Sequence, residues 1–318
     1  TKDLVNEPAN VLNPAEMADR VTGYASEYGF DVEIFEEDHI LENNMIAYHN
    51  VAKASANKPK LIIMKHMGNP EDADNIVGLV GKGLTFDTGG YSLKPGNSML
   101  TMKSDMGGAS AVIGAMCAIA KSNLKINIYA VIAACENMID SNGYRPGDII
   151  GSMAGKSIYI KSTDAEGRLT LVDAVTYSIR KLKVKKVIDI ATLTGSQIHA
   201  LGSNVSGVLS NNDDLFASLQ YGSDMSDELI WRMPTFDVYK RLIEHKEADL
   251  TNSTKEAGMI GAGMFIGEFV EGLPWIHIDI AGPSYGESSS GYKTFGASGT
   301  GARTLYYLAK DLAKDLAK

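Results

Sequence analysis

The chain has few cysteines, no long apolar run and no cluster of basic residues. Its two cysteines, Cys117 and Cys135, lie in apolar stretches, so we expect reduced core thiols and a cytoplasmic location. A membrane span needs about 18 or more consecutive apolar residues, and none is present. The formal net charge is −9 and the lysines are dispersed, which disfavours nucleic acid as a partner. Neither nucleic acid nor a membrane is therefore expected to bind.

Histidine is also scarce. The six histidines show no metal-ligand spacing, and the motif H-E-x-x-H is absent. We expect each histidine to be structural or exposed. The histidines therefore give no indication of a metal site.

Segments with strand and helix patterns alternate along the 318 residues. The strand predictions are 31–35, 60–64, 76–81, 125–134, 184–191 and 275–281, and the helix predictions are 14–28, 107–120, 169–180, 213–223, 238–245 and 300–308. This alternation predicts an α/β fold, with a central mixed β-sheet flanked by helices on both faces.

One unusual charged segment is Ser162-Thr163-Asp164-Ala165-Glu166-Gly167-Arg168. Its two carboxylates and one guanidinium stand two residues apart. If the segment is extended, they lie on one face, because side chains alternate along a strand. Such crowding contributes little to stability unless an ion binds there.

A second charged segment lies among glycines upstream. Lys82 and Asp87 follow a run that is typical of a buried strand, and Asp105 precedes another pair of glycines. Together with Asp164 and Glu166, these residues give four carboxylates, which two divalent cations would neutralise. The alternative is a buried salt-bridge network that pairs Lys82 with Asp87 and Arg168 with Glu166.

These segments closely resemble the signatures of the leucine aminopeptidase family, the M17 metallopeptidases, which are also called cytosol aminopeptidases. Other segments resemble landmarks of the same family in the same order, at 136–138, 144–148, 191–195, 231–234, 275–282 and 299–305. The resemblance therefore covers essentially the whole chain.

The resemblance implies a site with two divalent metal ions. The residues that match the family's metal ligands are Lys82, Asp87, Asp105, Asp164 and Glu166, and the family pattern has Asp87 and Glu166 bridging the ions. Carboxylate ligands suit Zn²⁺ or Mn²⁺, and Co²⁺ or Mg²⁺ are also compatible. Lys94 matches a lysine that faces the substrate carbonyl, and Arg168 matches the arginine that holds bicarbonate.

The resemblance also implies the reaction. A family member is a metallo-exopeptidase, a hydrolase in which metal-activated water removes the N-terminal residue of a peptide. Met102, Thr192, Leu193 and Gly195 match the lining of an apolar substrate pocket, which favours leucine-like residues. Family members assemble as hexamers, so we expect a homohexamer that acts on peptide substrates.

The resemblance to the family also implies a domain organisation. Residues 1–318 are expected to form a single catalytic domain, without the separate N-terminal domain that the family normally carries. The last ten residues, 309–318, repeat Lys-Asp-Leu-Ala and are expected to form a helical tail to which we assign no function.

Two other functions remain compatible with a cluster of carboxylates. A dinuclear metal phosphoesterase also uses paired metals, although such enzymes usually rely on histidine ligands. A non-catalytic binding or scaffold homologue is the other alternative, but every proposed ligand is present in this chain.

Overall fold

Eight strands pair into a mixed central sheet in the computed structural model, which describes residues 1–286, 288–289 and 294–315. The helices are α1 (Lys2–Asn6), α2 (Pro14–Tyr28), α3 (Glu37–Glu42), α4 (Ile46–Ala52), α5 (Gly96–Met99), α6 (Gly107–Lys121), α7 (Gly167–Arg180), α8 (Gly195–Leu201), α9 (Asp213–Ser226), α10 (Gly258–Gly267) and α11 (Ala302–Asp315).

The strands are β1 (Asp31–Phe35), β2 (Lys60–Met67), β3 (Ile76–Asp87), β4 (Asn127–Asn137), β5 (Ile149–Ile150), β6 (Ile158–Tyr159), β7 (Lys186–Ala191), β8 (Ser206–Ser210), β9 (Ile230–Arg232), β10 (Leu250–Thr251), β11 (Trp275–Asp279), β12 (Tyr285–Gly286) and β13 (Gly296–Ala297). The central sheet has the order β1-β2-β4-β3-β7-β11-β8-β9. Its four middle strands, β4, β3, β7 and β11, are parallel, whereas β2 and β8 run antiparallel to their inner neighbours.

Helices cover both faces of this sheet, as predicted. One core contains residues of α2, α6, α9 and α11, with Met17, Met116 and Leu305 fully buried. The other core contains residues of α4, α7 and α10, with Tyr48, Leu171 and Phe265 fully buried. Among the described residues, no helix is both long enough and apolar enough to cross a bilayer.

Several predicted elements match the structure closely. Helix α2 begins at Pro14 as predicted, because the Asn13 side chain accepts a hydrogen bond from the Glu16 N–H at 3.0 Å. It ends before Gly29, whose φ of 84° lies in the left-handed region.

One predicted helix differs in type. The segment predicted as a helix over 238–245 is a 3₁₀-helix, Asp237–Leu242, which shows that its short apolar spacing was not sufficient for an α-helix.

The predicted tail falls partly within the described structure. Helix α11 extends from Ala302 to Asp315 and therefore includes the first part of the repeat, as expected for a helical segment. Residues 316–318 lie outside the described residues.

A carboxylate from another segment anchors the start of α11. Glu228 is largely buried and accepts hydrogen bonds from the backbone N–H groups of Gly301 at 3.0 Å and Thr304 at 3.3 Å. It also accepts one from the Thr304 hydroxyl at 2.5 Å. A negative charge is favourable at a helix N-terminus, where unpaired N–H groups carry partial positive charge.

We predict that Glu228→Gln lowers the free energy of unfolding by about 1–2 kcal/mol, because the amide removes the charge and turns an NH₂ toward these donors. Urea denaturation followed by circular dichroism measures the change. The matched control is Glu27→Gln on the exposed face of α2, which is expected to change stability by less than about 0.5 kcal/mol. Equal stabilities of the two variants would contradict the anchoring role.

Candidate metal centre

The charged segments meet where the parallel strands of the sheet end. Asp87 ends β3, and Asp105 follows a 3₁₀-helix just before α6. Asp164 and Glu166 lie in the segment between β6 and α7. Sites of α/β proteins commonly lie at this edge of the sheet.

A β-bulge brings Lys82 and Asp87 to the same side of β3. Leu84 lies opposite Cys135 and Phe86 lies opposite Glu136, so Thr85 is an extra residue in the strand. Without it, Lys82 and Asp87 would point to opposite faces, because they are an odd number of residues apart. The sequence analysis did not predict this bulge, although the convergence of both side chains requires it.

The segment 162–168 is not extended throughout, so the expectation of one shared strand face is wrong. Glu166 has helical dihedral angles (φ −78°, ψ −37°), and Arg168 belongs to the first turn of α7. The two carboxylates nevertheless approach each other, because the chain turns into the helix at this point. Asp164 and Glu166 thus lie in the site, while Arg168 is carried by α7.

Lys82 is buried between two carboxylates. Its Nζ lies 2.7 Å from Asp105 Oδ2 and 2.8 Å from Glu166 Oε1, and it donates to the Thr192 carbonyl oxygen at 3.1 Å. Burial opposes its charge, but Asp105, Glu166 and Asp87 outweigh burial and raise the pKa of Lys82 above its ordinary value.

Lys94 binds the other two carboxylates. Its Nζ lies 2.9 Å from Asp87 Oδ2 and 2.6 Å from Asp164 Oδ1. The pairing therefore differs from the salt-bridge alternative of the sequence analysis, since Lys94 rather than Lys82 contacts Asp87.

Three carboxylates are arranged closely enough to share a cation. One oxygen from each of Asp87, Asp164 and Glu166 lies within 4.8 Å of the other two. Glu166 Oε2 is buried and has no hydrogen-bond partner among the described residues. With Asp105, four carboxylates face two lysines, so two negative charges remain when all groups are ionised. This donor set fits divalent cations.

Burial and the neighbouring charges shift the pKa values of these acids. Burial, together with Glu166 and Asp105, raises the pKa of Asp87 to about 8. Burial also raises the pKa of Asp105 to about 6, with Lys82 opposing the change. By contrast, burial opposes ionisation of Glu166, but Lys82 and Lys94 outweigh burial and lower the pKa of Glu166. Burial and neighbouring carboxylates thus oppose ionisation of Asp87 and Asp105, while the lysines favour ionised Glu166.

These groups line a cleft of about 610 Å³. All four predicted pocket residues, Met102, Thr192, Leu193 and Gly195, are part of its wall. Buried Asp279 holds the turn that carries three of them, since it accepts hydrogen bonds from the Leu193 N–H at 3.1 Å and the Thr194 hydroxyl at 2.7 Å.

Arg168 lies at the edge of the site and not in the cleft wall. It is buried, and its Nε has no hydrogen-bond partner within the described part of the chain. Burial lowers the pKa of Arg168 to about 10, although Glu166, Asp279 and Asp164 oppose the change. An unsatisfied buried guanidinium nitrogen fits a small bound anion.

Two asparagines without predicted roles support the acidic residues. Asn137 Nδ2 donates to Asp87 Oδ1 at 2.8 Å and thereby fixes that carboxylate. Asn252 accepts from the Lys161 N–H at 2.9 Å and donates to the Ser162 carbonyl oxygen at 2.6 Å. Asn137 stands in a segment that resembles a family landmark, but Asn252 carries no local sequence signal.

Known proteins are similar to this chain over nearly its whole length. A probable cytosol aminopeptidase of Clostridium perfringens is 52% identical over 314 residues, which is 98% of this chain and 64% of that protein. A probable cytosol aminopeptidase of Treponema denticola is 50% identical over 311 residues, covering 97% of this chain and 65% of that protein. The chain thus spans slightly less than two thirds of these relatives.

A solved structure is also similar. The bottromycin maturation enzyme BotP in complex with Mn superposes with a TM-score of 0.93 at 34% identity, covering 98% of this chain and 69% of that chain. The sequence model of the cytosol aminopeptidase family, catalytic domain, matches residues 1–306. On the agreement of sequence, fold and family model, this chain belongs to the cytosol aminopeptidase (M17) family and contains its catalytic domain.

Proposed function

We propose that this protein is a metal-dependent aminopeptidase that hydrolyses the N-terminal residue from peptides. The observation that carries the proposal is the convergence of four carboxylates on one cleft with only two lysines to oppose them. The names of the relatives agree with such an activity.

The five residues proposed to hold two divalent ions are Lys82, Asp87, Asp105, Asp164 and Glu166. The ions are Zn²⁺ or Mn²⁺, with Co²⁺ or Mg²⁺ as alternatives, and the Mn in the complex of BotP agrees with such a metal in the family. When bound, the ions supply Lewis-acid polarisation of the peptide carbonyl and a nucleophile at neutral pH. Only a neutral amine has a lone pair with which to bind a metal. Lys82 would therefore lose its proton and its ion pairs with Asp105 and Glu166, and its Nζ would bind the metal instead.

Two cationic residues are proposed to act on the substrate side of the site. Lys94 is 14% exposed, lies in the cleft wall and carries an ammonium that can stabilise negative charge on the carbonyl oxygen during hydrolysis. Arg168, whose buried Nε is unsatisfied, would hold a bicarbonate ion. Bicarbonate supplies a group that can accept and return a proton.

The cleft wall supports a preference for leucine-like N-terminal residues. Met102, Leu193 and Ile198 are apolar, and Gly195 has no side chain. A Cβ atom added at Gly195 would meet nothing within 4 Å, so the wall is open at this residue. An aliphatic side chain of moderate size is thus the natural occupant.

Assembly and location are part of the same proposal. We propose a homohexamer, and the chain exposes apolar side chains that are available for subunit contacts, among them Trp231 and Phe236 at 65% and 67% exposure. The cytosolic names of the relatives and the two free cysteines favour a cytoplasmic enzyme. We propose peptides as its substrates.

Metal dependence is the first test of the proposed activity. We predict that chelated protein does not cleave leucyl anilide and that added Mn²⁺, Zn²⁺ or Co²⁺ restores cleavage. An N-acetylated substrate should remain uncleaved, because an aminopeptidase requires the free α-amine. Glu166→Gln should abolish metal-restored activity, whereas the exposed control Glu244→Gln should not. Full activity in the presence of chelator would contradict the proposal.

Lys94 is predicted to act on turnover more than on metal binding. Lys94→Ala should lower kcat by about 10²–10³-fold, which is the usual loss when a charge-stabilising donor is removed. Bound metal, measured by elemental analysis, should stay at the wild-type level. The control Lys125→Ala removes an exposed lysine and should leave both quantities unchanged. Wild-type kcat in Lys94→Ala would exclude this role.

Gly195 is predicted to set the size of the accepted side chain. Gly195→Val places a branched side chain in the cleft wall, so kcat/KM for leucyl relative to alanyl substrates should fall by about 10-fold. Gly23→Val in α2 is the matched control, since a Cβ at Gly23 also meets nothing within 4 Å. An unchanged ratio in Gly195→Val would place the substrate side chain elsewhere.

A further inference from the structure

Lys94 and Asp164 belong to two loops that are distant in the sequence, and their meeting requires these loops to be fixed to each other. The Lys94 loop is poorly anchored by packing, since residues 93 and 95–98 are exposed. Near the lysine, its backbone forms a hydrogen bond within the loop, from the Lys94 N–H to the Thr88 carbonyl oxygen at 3.0 Å. The position of the ammonium thus depends on contacts from outside the loop.

Ser92 and Thr163 supply those contacts through two reciprocal hydrogen bonds. The Ser92 N–H donates to Thr163 Oγ1 at 2.7 Å, and the Thr163 N–H donates to Ser92 Oγ at 3.0 Å. Each hydroxyl thus binds the backbone of the other loop. Ser92 precedes Lys94 by two residues, and Thr163 directly precedes Asp164.

Both the hydroxyl and the carbonyl oxygen of Thr163 form further hydrogen bonds. It is completely buried, and its hydroxyl donates to the Gly89 carbonyl oxygen at 2.6 Å. Its own carbonyl oxygen accepts from Asn137 Nδ2 at 3.0 Å and from the Tyr144 hydroxyl at 2.9 Å. Because Asn137 also binds Asp87, Thr163 connects the Lys94 loop to the acidic residues of both segments.

The close approach of the loops also depends on Gly89 and Gly90. Both have positive φ, at 85° and 63°. A Cβ at Gly89 would lie 3.0 Å from Asp164 Oδ1, and one at Gly90 would lie 3.0 Å from Thr163 Oγ1. A side chain at Gly89 or Gly90 would therefore push the loops apart and disturb the hydrogen bonds between Ser92 and Thr163.

We propose that the Ser92–Thr163 pair is a positioning element that sets Lys94 against Asp164 and so determines turnover. The proposal rests on the proposed aminopeptidase function. Neither residue is taken to touch the substrate. Their effect is exerted through the placement of the Lys94 ammonium.

The test compares Thr163→Val, which keeps the shape and removes the hydroxyl, with Thr163→Ser, which keeps the hydroxyl. Thr176→Val is the matched control, because Thr176 is equally buried in α7 and its hydroxyl binds only the Val172 carbonyl oxygen at 2.8 Å among the contacts of the described chain. Ser92→Ala is a second, milder variant that carries the test if Thr163→Val does not fold.

The first readout needs neither metal nor activity. Hydrogen–deuterium exchange of the metal-free protein should accelerate in peptides spanning residues 88–98 of Thr163→Val and Ser92→Ala. Thr163→Ser and Thr176→Val should exchange in this segment like the wild type. This readout remains valid even if the wild type shows no aminopeptidase activity, which would overturn the proposed function alone.

The second readout is metal-saturated hydrolysis of leucyl anilide. Thr163→Val should lower kcat by about 10–10²-fold, the loss expected when a catalytic group is misplaced by about 1 Å, with little change in KM. Thr163→Ser should recover most of the rate. Wild-type exchange and kcat in both Thr163→Val and Ser92→Ala would overturn the proposal. The proposal would also be overturned if Thr176→Val lost as much kcat as Thr163→Val, or if Thr163→Ser did not restore kcat toward the wild-type value.

Discussion

Four carboxylates at the end of the parallel strands impose the constraint on which the site depends. Asp87, Asp105 and Glu166 are buried, and Asp164 lies within 4.8 Å of two of these neighbours. Burial of like charges is costly unless cations compensate. Without metal, the ammonium groups of Lys82 and Lys94 compensate half of this charge. We propose that bound metal ions compensate the remainder, including the charge that Lys82 no longer balances once it binds metal as a neutral amine.

The fold meets this constraint with local departures from regular structure. A single extra residue, Thr85, turns Asp87 toward the side of β3 that Lys82 faces. The start of α7 brings Glu166 against Lys82, and Gly167 allows the approach, because a Cβ there would lie 2.3 Å from Lys82 Cε. The site is therefore built from a bulge, a glycine contact and paired loops at the edge of a regular sheet.

The general fold could be predicted from the sequence, because it follows from local patterns. Apolar runs gave the central strands, and the Asn13 cap gave the start of α2. Helix α10 was not predicted, since it is glycine-rich and apolar on all sides and shows no helical periodicity.

The geometry of the site could be predicted only in part. The pairing of Lys94 with Asp87, the supporting role of Asn252 and the bulge at Thr85 depend on contacts between distant segments. Spacing alone also gave the wrong conformation for 162–168, because it could not show where α7 begins. The proposed ligand set came from the resemblance to the family, because periodicity could not supply it.

The most direct test of the central claim is the number of metal ions that the chain binds. Elemental analysis after dialysis against Mn²⁺ and gel filtration gives this number without any assumption about substrate. The proposed two-ion site formed by Lys82, Asp87, Asp105, Asp164 and Glu166 predicts two Mn²⁺ per chain in the wild type and fewer in Asp164→Asn. No bound metal in a folded chain would contradict the account, and the carboxylates would then have to be explained by the lysine ion pairs and protonation alone.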